Sequence, residues 1–370
     1  MTFFCVAAAR PNFMKIAPIV AALDAAGLPN VLVHTGQHYD ESMSGIFFDE
    51  LGLRSPDHHL DVGSGSHAHQ TGRVMEAFEE LLRRRGCAPT DTVVTVGDVN
   101  STLACSIVGA KAGLLVAHVE AGLRSRDWTM PEEVNRVVAD RVSDFLFAPS
   151  PDAVDNLRSE GYREDQIHLV GNVMVDSLLA NREKAVRQPI LGHLGIESGR
   201  YAMVTMHRPS NVDDESTLRG IVGALERINR TLPIVFPVHP RTRRRFEEFG
   251  LDPALRLIEP TGYLDSLCLQ PNAALVLTDS GGIQEETTAL GVPCLTLRHN
   301  TERPITVSEG TNTVVGTDPA AIERAASLAL EHPTPARRPA LWDGRAAQRI
   351  VTILGDAMGT RPPRPTDTVR

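Results

Sequence analysis

Three carboxylates stand where acid–base chemistry could be done. Asp98 lies in Gly97-Asp98-Val99-Asn100, Glu120 in His118-Val119-Glu120-Ala121-Gly122-Leu123-Arg124, and Glu132 beside Glu133 just after Pro131. Carboxylates that converge on one ligand raise one another's pKa, so one can take a proton while another gives one. Two of them have simpler uses as well: Asp98 could cap a helix from Asn100, and Glu132 could serve a helix dipole alone. Cations gather in other segments. Arg10 and Lys15 flank a helix start at Pro11, preceded by the small residues Ala8-Ala9, and a helix N-terminus is a natural anion site. Thr205-Met206-His207-Arg208 offers an imidazole and a guanidinium suited to a leaving phosphate, and His239-Pro240-Arg241 and Thr301-Glu302-Arg303-Pro304 add further cations. Thr278-Asp279-Ser280-Gly281-Gly282 runs straight into a helical pattern. There the bare amides of Gly281 and Gly282 and the Ser280 hydroxyl could cradle a phosphate, with Glu286 one to two turns deeper to accept from a ribose. Read locally, the same Ser-Gly-Gly is also a helix cap with close packing.

Each segment falls just past a predicted strand. The spacing predicts strands at 3–7, 31–34, 92–96, 115–119, 145–147 and 167–170, alternating with amphipathic stretches at 14–25, 41–51, 71–85, 103–112, 132–142 and 152–160. A charged, weakly patterned stretch follows at 181–200. The alternation then restarts, with strands at 201–205, 234–238, 256–258, 274–278 and 293–297 and helices between them. Short β-branched runs separated by helices of ten or more residues indicate βαβ units and parallel sheets. The reading is α/β, two Rossmann-like domains joined near 173–200 and facing across a cleft. Ligands of such sheets bind beyond the carboxyl ends of the strands, which is where the segments above would sit.

Composition narrows the class. The chain has 370 residues, 42% of them hydrophobic, and 37 Lys+Arg against 46 Asp+Glu give a net charge of −9. That length suits two domains with cores of their own. A net acidic chain without a basic, aromatic-rich patch is a poor nucleic-acid binder, and no apolar run is long enough to span a membrane. The start is too short for a signal peptide. Five scattered cysteines fit a reduced cytoplasmic protein with neither disulfides nor zinc. The turn at 8–15 is not the G-x-G-x-x-G of a dinucleotide site, which argues against a nicotinamide cofactor. His67-Ala68-His69 lacks companions at metal-ligand spacing, so no metal is expected. The tail 359–370, with three prolines and no periodicity, reads as disordered.

Taken in order, these segments resemble the non-hydrolysing UDP-N-acetylglucosamine 2-epimerase family. The resemblance runs through Ala9-Arg10-Pro11 with Lys15, His34-Thr35-Gly36-Gln37-His38, Gly97-Asp98, His118 to Arg124, Pro131-Glu132-Glu133-Val134-Asn135-Arg136, Gly171-Asn172, Thr205 with His207-Arg208, Thr278 to Glu286, and Thr301-Glu302-Arg303-Pro304. It implies the two-domain fold shared with nucleotide-sugar glycosyltransferases and glycogen phosphorylase. On that reading residues 1–172 carry the catalytic carboxylates, 173–342 bind UDP, and a helix at 343–358 crosses back to the first domain. It implies a cofactor-free interconversion of UDP-GlcNAc and UDP-ManNAc, in which UDP is expelled by anti elimination to leave 2-acetamidoglucal and then adds back. Carried over, Arg10, His207, Ser280 and Gly281 would hold the pyrophosphate and Glu286 the ribose. Asp98, Glu120 and Glu132 would be the acid–base groups, with Lys15 and Arg136 as supporting charges. Homodimers are common in the family.

The chemistry suits that set. No carbonyl acidifies the proton on carbon 2, so departure of UDP must lead, and the sugar gains oxocarbenium character. Anionic carboxylates would stabilise that cation, while His207 and Arg208 stabilise the departing diphosphate. One departure from the family is notable. Many bacterial members have a regulatory second UDP-GlcNAc site, with a glutamine three residues beyond that of Gln37-His38 and an arginine before a Gln-Thr. Here Asp40 and His69 stand at those positions, and Asp40 would repel a phosphate, so activation by UDP-GlcNAc is expected to be weak or absent. The competing readings are a hydrolysing epimerase that releases UDP and ManNAc, a glycosyltransferase of the same fold, and a non-catalytic UDP-sugar sensor. A sensor would have no use for three carboxylates together, and a glycosyltransferase would need an acceptor groove where they stand.

Overall fold

Runs of four or five β-branched, aromatic and small apolar residues, buried on both faces, build the centre of each of two sheets, as expected of parallel sheets covered by helices. The computed structural model describes residues 1–8, 10–36, 50–332, 335 and 337–357, with the side chains of Arg10 and Pro11 outside that description. Two compact units result. One comprises Met1–Leu179 and the chain from Ala340 on, the other Ala180–Pro339. The division falls inside the helix Val173–Val186.

The first unit holds β1 (Phe3–Ala7), β2 (Asn30–His34), β3 (His58–His59), β4 (Thr92–Val96), β5 (Leu115–Val119), β6 (Phe145–Ala148) and β7 (Ile167–Leu169), in the order β3-β2-β1-β4-β5-β6-β7. The second holds β8 (Ala202–Thr205), β9 (Ile234–Pro237), β10 (Arg256–Ile258), β11 (Leu275–Thr278), β12 (Cys294–Thr296) and β13 (Asn312–Val314), in the order β10-β9-β8-β11-β12-β13. All the pairings are parallel. Strand order therefore reverses between β1 and β4 in one sheet and between β8 and β11 in the other. Those are the switch points where a doubly wound sheet opens a crevice. The core of the second unit packs Val204, Phe236, Leu275 and Leu277 against Leu218, Ile221 and Leu225 of the helix Glu215–Asn229. In the first, Phe4, Val6 and Val93 meet Val74 and Phe78 of the helix His67–Arg85.

Differences from the sequence expectations have local causes. Strands β3 and β13 have two and three residues, too few for an alternation to register. The stretch 181–200, charged and weakly patterned in the sequence, carries the end of the helix Val173–Val186 and the short helix Ile190–Leu194. In it only Asn181 and Ala185 are buried along the last turns, so the apolar signal is thin. The tail 359–370 and most of the predicted helix at 41–51 lie outside the described residues.

The returning chain is fixed to the first unit by its backbone. Trp342, fully buried, donates from Nε1 to the Pro149 carbonyl at 3.0 Å, and Arg349 donates to the Val170 carbonyl at 3.0 Å. Asp176 accepts from the amides of Ala346 and Ala347 at the start of the helix Ala346–Asp356. Gly171, at φ +89°, lets the two strands of chain touch, because a Cβ there would lie 2.1 Å from the Leu341 carbonyl oxygen. Gly161 has a similar φ of +82° but open space around its missing Cβ. Replacing Gly161 by Ala should therefore cost about 1–2 kcal/mol of unfolding free energy from backbone strain alone. Gly171→Ala should cost more than about 3 kcal/mol because steric overlap adds to that strain. Urea unfolding of the two variants checks the difference.

Candidate active site

Two carboxylates of the first unit, Asp98 and Glu120, stand at its switch point. Gly97, past the end of β4, adopts φ +68°, and a Cβ on it would stand 2.8 Å from Lys15 Nζ and 3.5 Å from Glu120 Oε2. Only a glycine leaves Lys15 that room. Lys15 lies on the helix Arg10–Ala25 that follows β1, is buried, and pairs with Glu120 Oε2 at 2.5 Å. Glu120 itself follows β5 at φ +70°, a conformation that costs a non-glycine residue about 1–3 kcal/mol and persists only where its surroundings enforce it. Its other oxygen, Oε1, is buried with no hydrogen-bond partner among the described residues. Asp98 Oδ2 meets Arg136 Nη2 at 2.5 Å, and the helix Asn100–Lys111 begins at Val99 without a side-chain cap. Asp98 thus engages the helix Pro131–Val142 through an ion pair.

Arg136 is buried between two carboxylates, with Nη1 2.5 Å from Glu133 Oε2. Asn135 donates to the Asp98 carbonyl at 2.9 Å, so the helix Pro131–Val142 is tied directly to the Asp98 loop. Glu132 and Glu133 divide their work. Glu133 accepts from the amides of Ser125 and Arg126 at 2.9 and 2.8 Å, and although burial works against its ionisation, those amides and Arg136 hold its carboxyl below the usual range. Glu132, in the same first turn, is half-buried, and no bond or ion pair engages it among the described residues. Glu132 and Arg136 are four residues apart and share a helix face, which brings Glu132 toward the Asp98 side.

What holds Glu120 was not legible as a motif. Asp140, with no solvent exposure, accepts from His118 Nδ1 at 2.6 Å and from the Gly122 amide at 3.0 Å, and pairs with Arg124 at 2.7 Å. His118 Nε2 lies 2.8 Å from the Gly97 carbonyl, and Arg124 forks onto Glu160 with two bonds of 2.8 Å. Burial alone would raise the Asp140 carboxyl, but His118 and Arg124 keep it below its ordinary value. Both flanks of Glu120 are thereby pinned. The available signal was a charged residue on the otherwise buried face of the helix Pro131–Val142.

In the second unit the same layout recurs with the opposite charge. His207 and Arg208 follow β8, Asp279 and Ser280 follow β11, and Thr205 pairs with Thr278 across the two strands. Asp279 is fully buried, accepts from the amides of His207 and Arg208 at 2.9 and 2.8 Å, and lies 3.1 Å from His207 Nδ1. Ser280 starts the helix Gly281–Leu290 without spending its hydroxyl on a cap. Gly281 has a packing reason, since a Cβ there would meet Arg303 Nη1 at 2.4 Å and Glu302 Oε1 at 2.8 Å. Glu302 is buried among three guanidiniums, Arg303 at 2.5 Å, Arg298 at 2.8 Å and Arg208 at 3.5 Å, which hold its carboxyl far below the usual range despite burial. Arg303 also lies 2.8 Å from Glu285. The three guanidiniums share Glu302 and Glu285 beside the Gly281 turn, where the positive end of the helix dipole also points.

Gly282 is partly exposed in the first turn of its helix. Glu286 is buried and accepts from Gln270 Nε2 at 2.6 Å. His239, exposed after β9, accepts from the Arg241 amide through Nδ1 at 3.2 Å, and its ring centroid is 5.4 Å from that of His207. Arg10 begins its helix, with its side chain outside the description. Gln37, His38 and Asp40 lie outside the described residues, and His69 is exposed in the helix His67–Arg85. Asp140, Asp279 and Glu302 are additions that no site prediction contained.

Known proteins resemble this chain along nearly its whole length. The family profile of UDP-N-acetylglucosamine 2-epimerase matches residues 21–355. The chain is 42% identical over 356 residues to the UDP-N-acetylglucosamine 2-epimerase of Methanocaldococcus jannaschii, covering 93% of this chain and 96% of that protein. It is 39% identical over 358 residues to the UDP-2,3-diacetamido-2,3-dideoxy-D-glucuronate 2-epimerase of Pseudomonas aeruginosa, covering 96% and 99% respectively. The crystal structure of the M. jannaschii UDP-GlcNAc 2-epimerase in complex with UDP-GlcNAc and UDP matches with a TM-score of 0.89 at 40% identity, over 96% of this chain and 100% of that one. Matched in sequence and fold along nearly its whole length, the chain belongs to the UDP-N-acetylglucosamine 2-epimerase family of isomerases.

Proposed function

We propose that this enzyme interconverts UDP-GlcNAc and UDP-ManNAc without a cofactor, by eliminating UDP to 2-acetamidoglucal and adding it back. The observation that carries the reading is the pair Asp98 and Glu120 at the β1/β4 switch point, where Lys15 engages one oxygen of Glu120 and the other, Oε1, has no hydrogen-bond partner among the described residues; Glu132 is assigned to the same set. A buried carboxylate oxygen without a donor is costly unless a ligand completes it. In the forward step the carbon 1–oxygen bond breaks and UDP leaves with its electrons. The carbon 2 proton passes to a carboxylate, and carbons 1 and 2 become doubly bonded. In the return step UDP oxygen re-attacks carbon 1, and carbon 2 takes a proton on its other face. Two faces call for two acid–base groups, and the three carboxylates supply them. Lys15 and Arg136 pair with Glu120 and Asp98, whose carboxylates are assigned to stabilise an oxocarbenium-like sugar. Arg10, His207, Arg208, Ser280, Gly281, Gly282, His239 and Arg303 are assigned to the diphosphate and Glu286 to the ribose. Among the described residues no helix is long and apolar enough to cross a membrane, and a cytoplasmic homodimer completes the proposal.

One observation favours a second substrate. The P. aeruginosa relative, named for a diacetamido uronic sugar, is nearly as similar to this chain as the M. jannaschii enzyme. The epimerisation is the same with either sugar.

Incubation with UDP-GlcNAc in heavy water, followed by proton NMR, should show UDP-ManNAc with deuterium at carbon 2. Free UDP with ManNAc would instead identify a hydrolysing enzyme, and turnover of the diacetamido uronate alone would identify the second substrate. Asp98→Asn, Glu120→Gln and Glu132→Gln should each lower kcat by about 10²–10⁴-fold while leaving UDP affinity within a few-fold; a fully active variant removes that residue from the mechanism. With Asp40 and His69 at the positions named above, rates should depend hyperbolically on UDP-ManNAc. A sigmoidal dependence relieved by trace UDP-GlcNAc would show that activation is retained.

A further inference from the structure

Asp279 stands at the end of β11, beside the β8 loop that carries His207, and shows no solvent exposure. Its carboxylate accepts from the amides of His207 and Arg208, at 2.9 and 2.8 Å, and from Asn211 Nδ2 at 3.2 Å. Burial pushes its carboxyl upward, but the His207 ring and the two amides outweigh that and keep it ionised. An ionised carboxylate only accepts, so the His207 nitrogen facing it, Nδ1 at 3.1 Å, must carry a proton. The ring's second nitrogen, Nε2, makes no hydrogen bond among the described residues, and the side chain is 39% exposed, so Nε2 is open to a ligand. The other charged or titratable neighbours do not compete for Nδ1. The His239 ring lies 5.4 Å away and tilted, with its own Nδ1 accepting from the Arg241 amide, and Arg208 is drawn to Glu302.

We infer that Asp279 is a positioning residue of the reaction: it fixes the His207 ring with its proton on Nδ1, so that a second proton on Nε2 makes an imidazolium that donates to the departing diphosphate. The inference rests on the epimerase reading of the site. Without the carboxylate the ring would be free to turn and to place its single proton on Nε2, leaving no full positive charge to balance the one that develops on UDP. Asp279 does not touch the substrate; it acts through His207.

Asp279→Asn keeps an oxygen for the two amides but turns an amide NH₂ toward Nδ1, which must then be an acceptor. We expect kcat to fall about 10²–10³-fold with KM changed by less than about threefold. The pH profile of kcat should move toward lower pH, because the doubly protonated ring has lost its counter-charge. In a His207→Ala background the same substitution should cost nothing further. A loss in Asp279→Asn that adds fully to that of His207→Ala, with an unmoved pH profile, would reduce Asp279 to a purely structural role and overturn the inference. The wild-type enzyme gives a test that needs no variant to fold. Nitrogen-15 NMR of its histidine rings with UDP bound should find the His207 proton on Nδ1, and a bare Nδ1 there would overturn the inference equally. That spectrum needs UDP alone, so its failure is separate from a failure to turn over any UDP-sugar, which would remove the epimerase reading instead.

Discussion

A carboxylate buried in its ionised form is tolerated only where donors surround it, and the organisation of both units follows from that constraint. Asp140 and Asp279 have no contact with solvent, and each collects an imidazole nitrogen together with backbone or side-chain donors from one loop. Taking such a group out of water carries a penalty of several kcal/mol, which is offset only when every donor is in place. The loop geometry and the ionised aspartate therefore stand or fall together. In the first unit this fixes Glu120 in a conformation that its own backbone disfavours. In the second it fixes the amides and the ring of the His207 loop.

Glu302 extends the principle from loops to side chains. Its single negative charge draws Arg208, Arg298 and Arg303 together. Guanidiniums left to themselves would repel and point to water; gathered on a buried anion they form a preorganised positive surface beside the glycine turn. A net acidic protein can thus gather guanidiniums at the proposed diphosphate site, with no need for a basic surface overall.

Much of this was legible in the sequence, and the reasons are specific. Strands such as Thr92–Val96 and Leu115–Val119 are continuous β-branched or apolar runs because both faces are buried, and their ends coincide with the chemical segments because a doubly wound sheet puts its ligands there. The carboxylates and the Ser280 turn could be picked out because they interrupt apolar patterning at strand ends. Asp140 and Asp279 could not be assigned a task, since their partners lie far along the chain or in backbone amides that every residue possesses. The adjacent pair Glu132 and Glu133 was indistinguishable by type; only the fold shows that one is consumed by the Ser125–Arg126 loop while the other remains unengaged. Gly97 and Gly281 read as turn formers, yet what each provides is space for a cation from a distant segment.

The return of the chain through Trp342 to the first unit bears on how the protein comes into being. The second unit is continuous in sequence, whereas the first is assembled from both ends of the chain, with Trp342, Arg349 and the helix Ala346–Asp356 as its last pieces. During synthesis the unit begun first is completed last. Until the helix Ala346–Asp356 has been made, the Pro149 and Val170 carbonyls and the Asp176 carboxylate lack their partners, so the first unit cannot complete itself before the second has been synthesised. Chain termination shortly before Ala340 would thus strike the beginning of the protein rather than the domain in which it occurs.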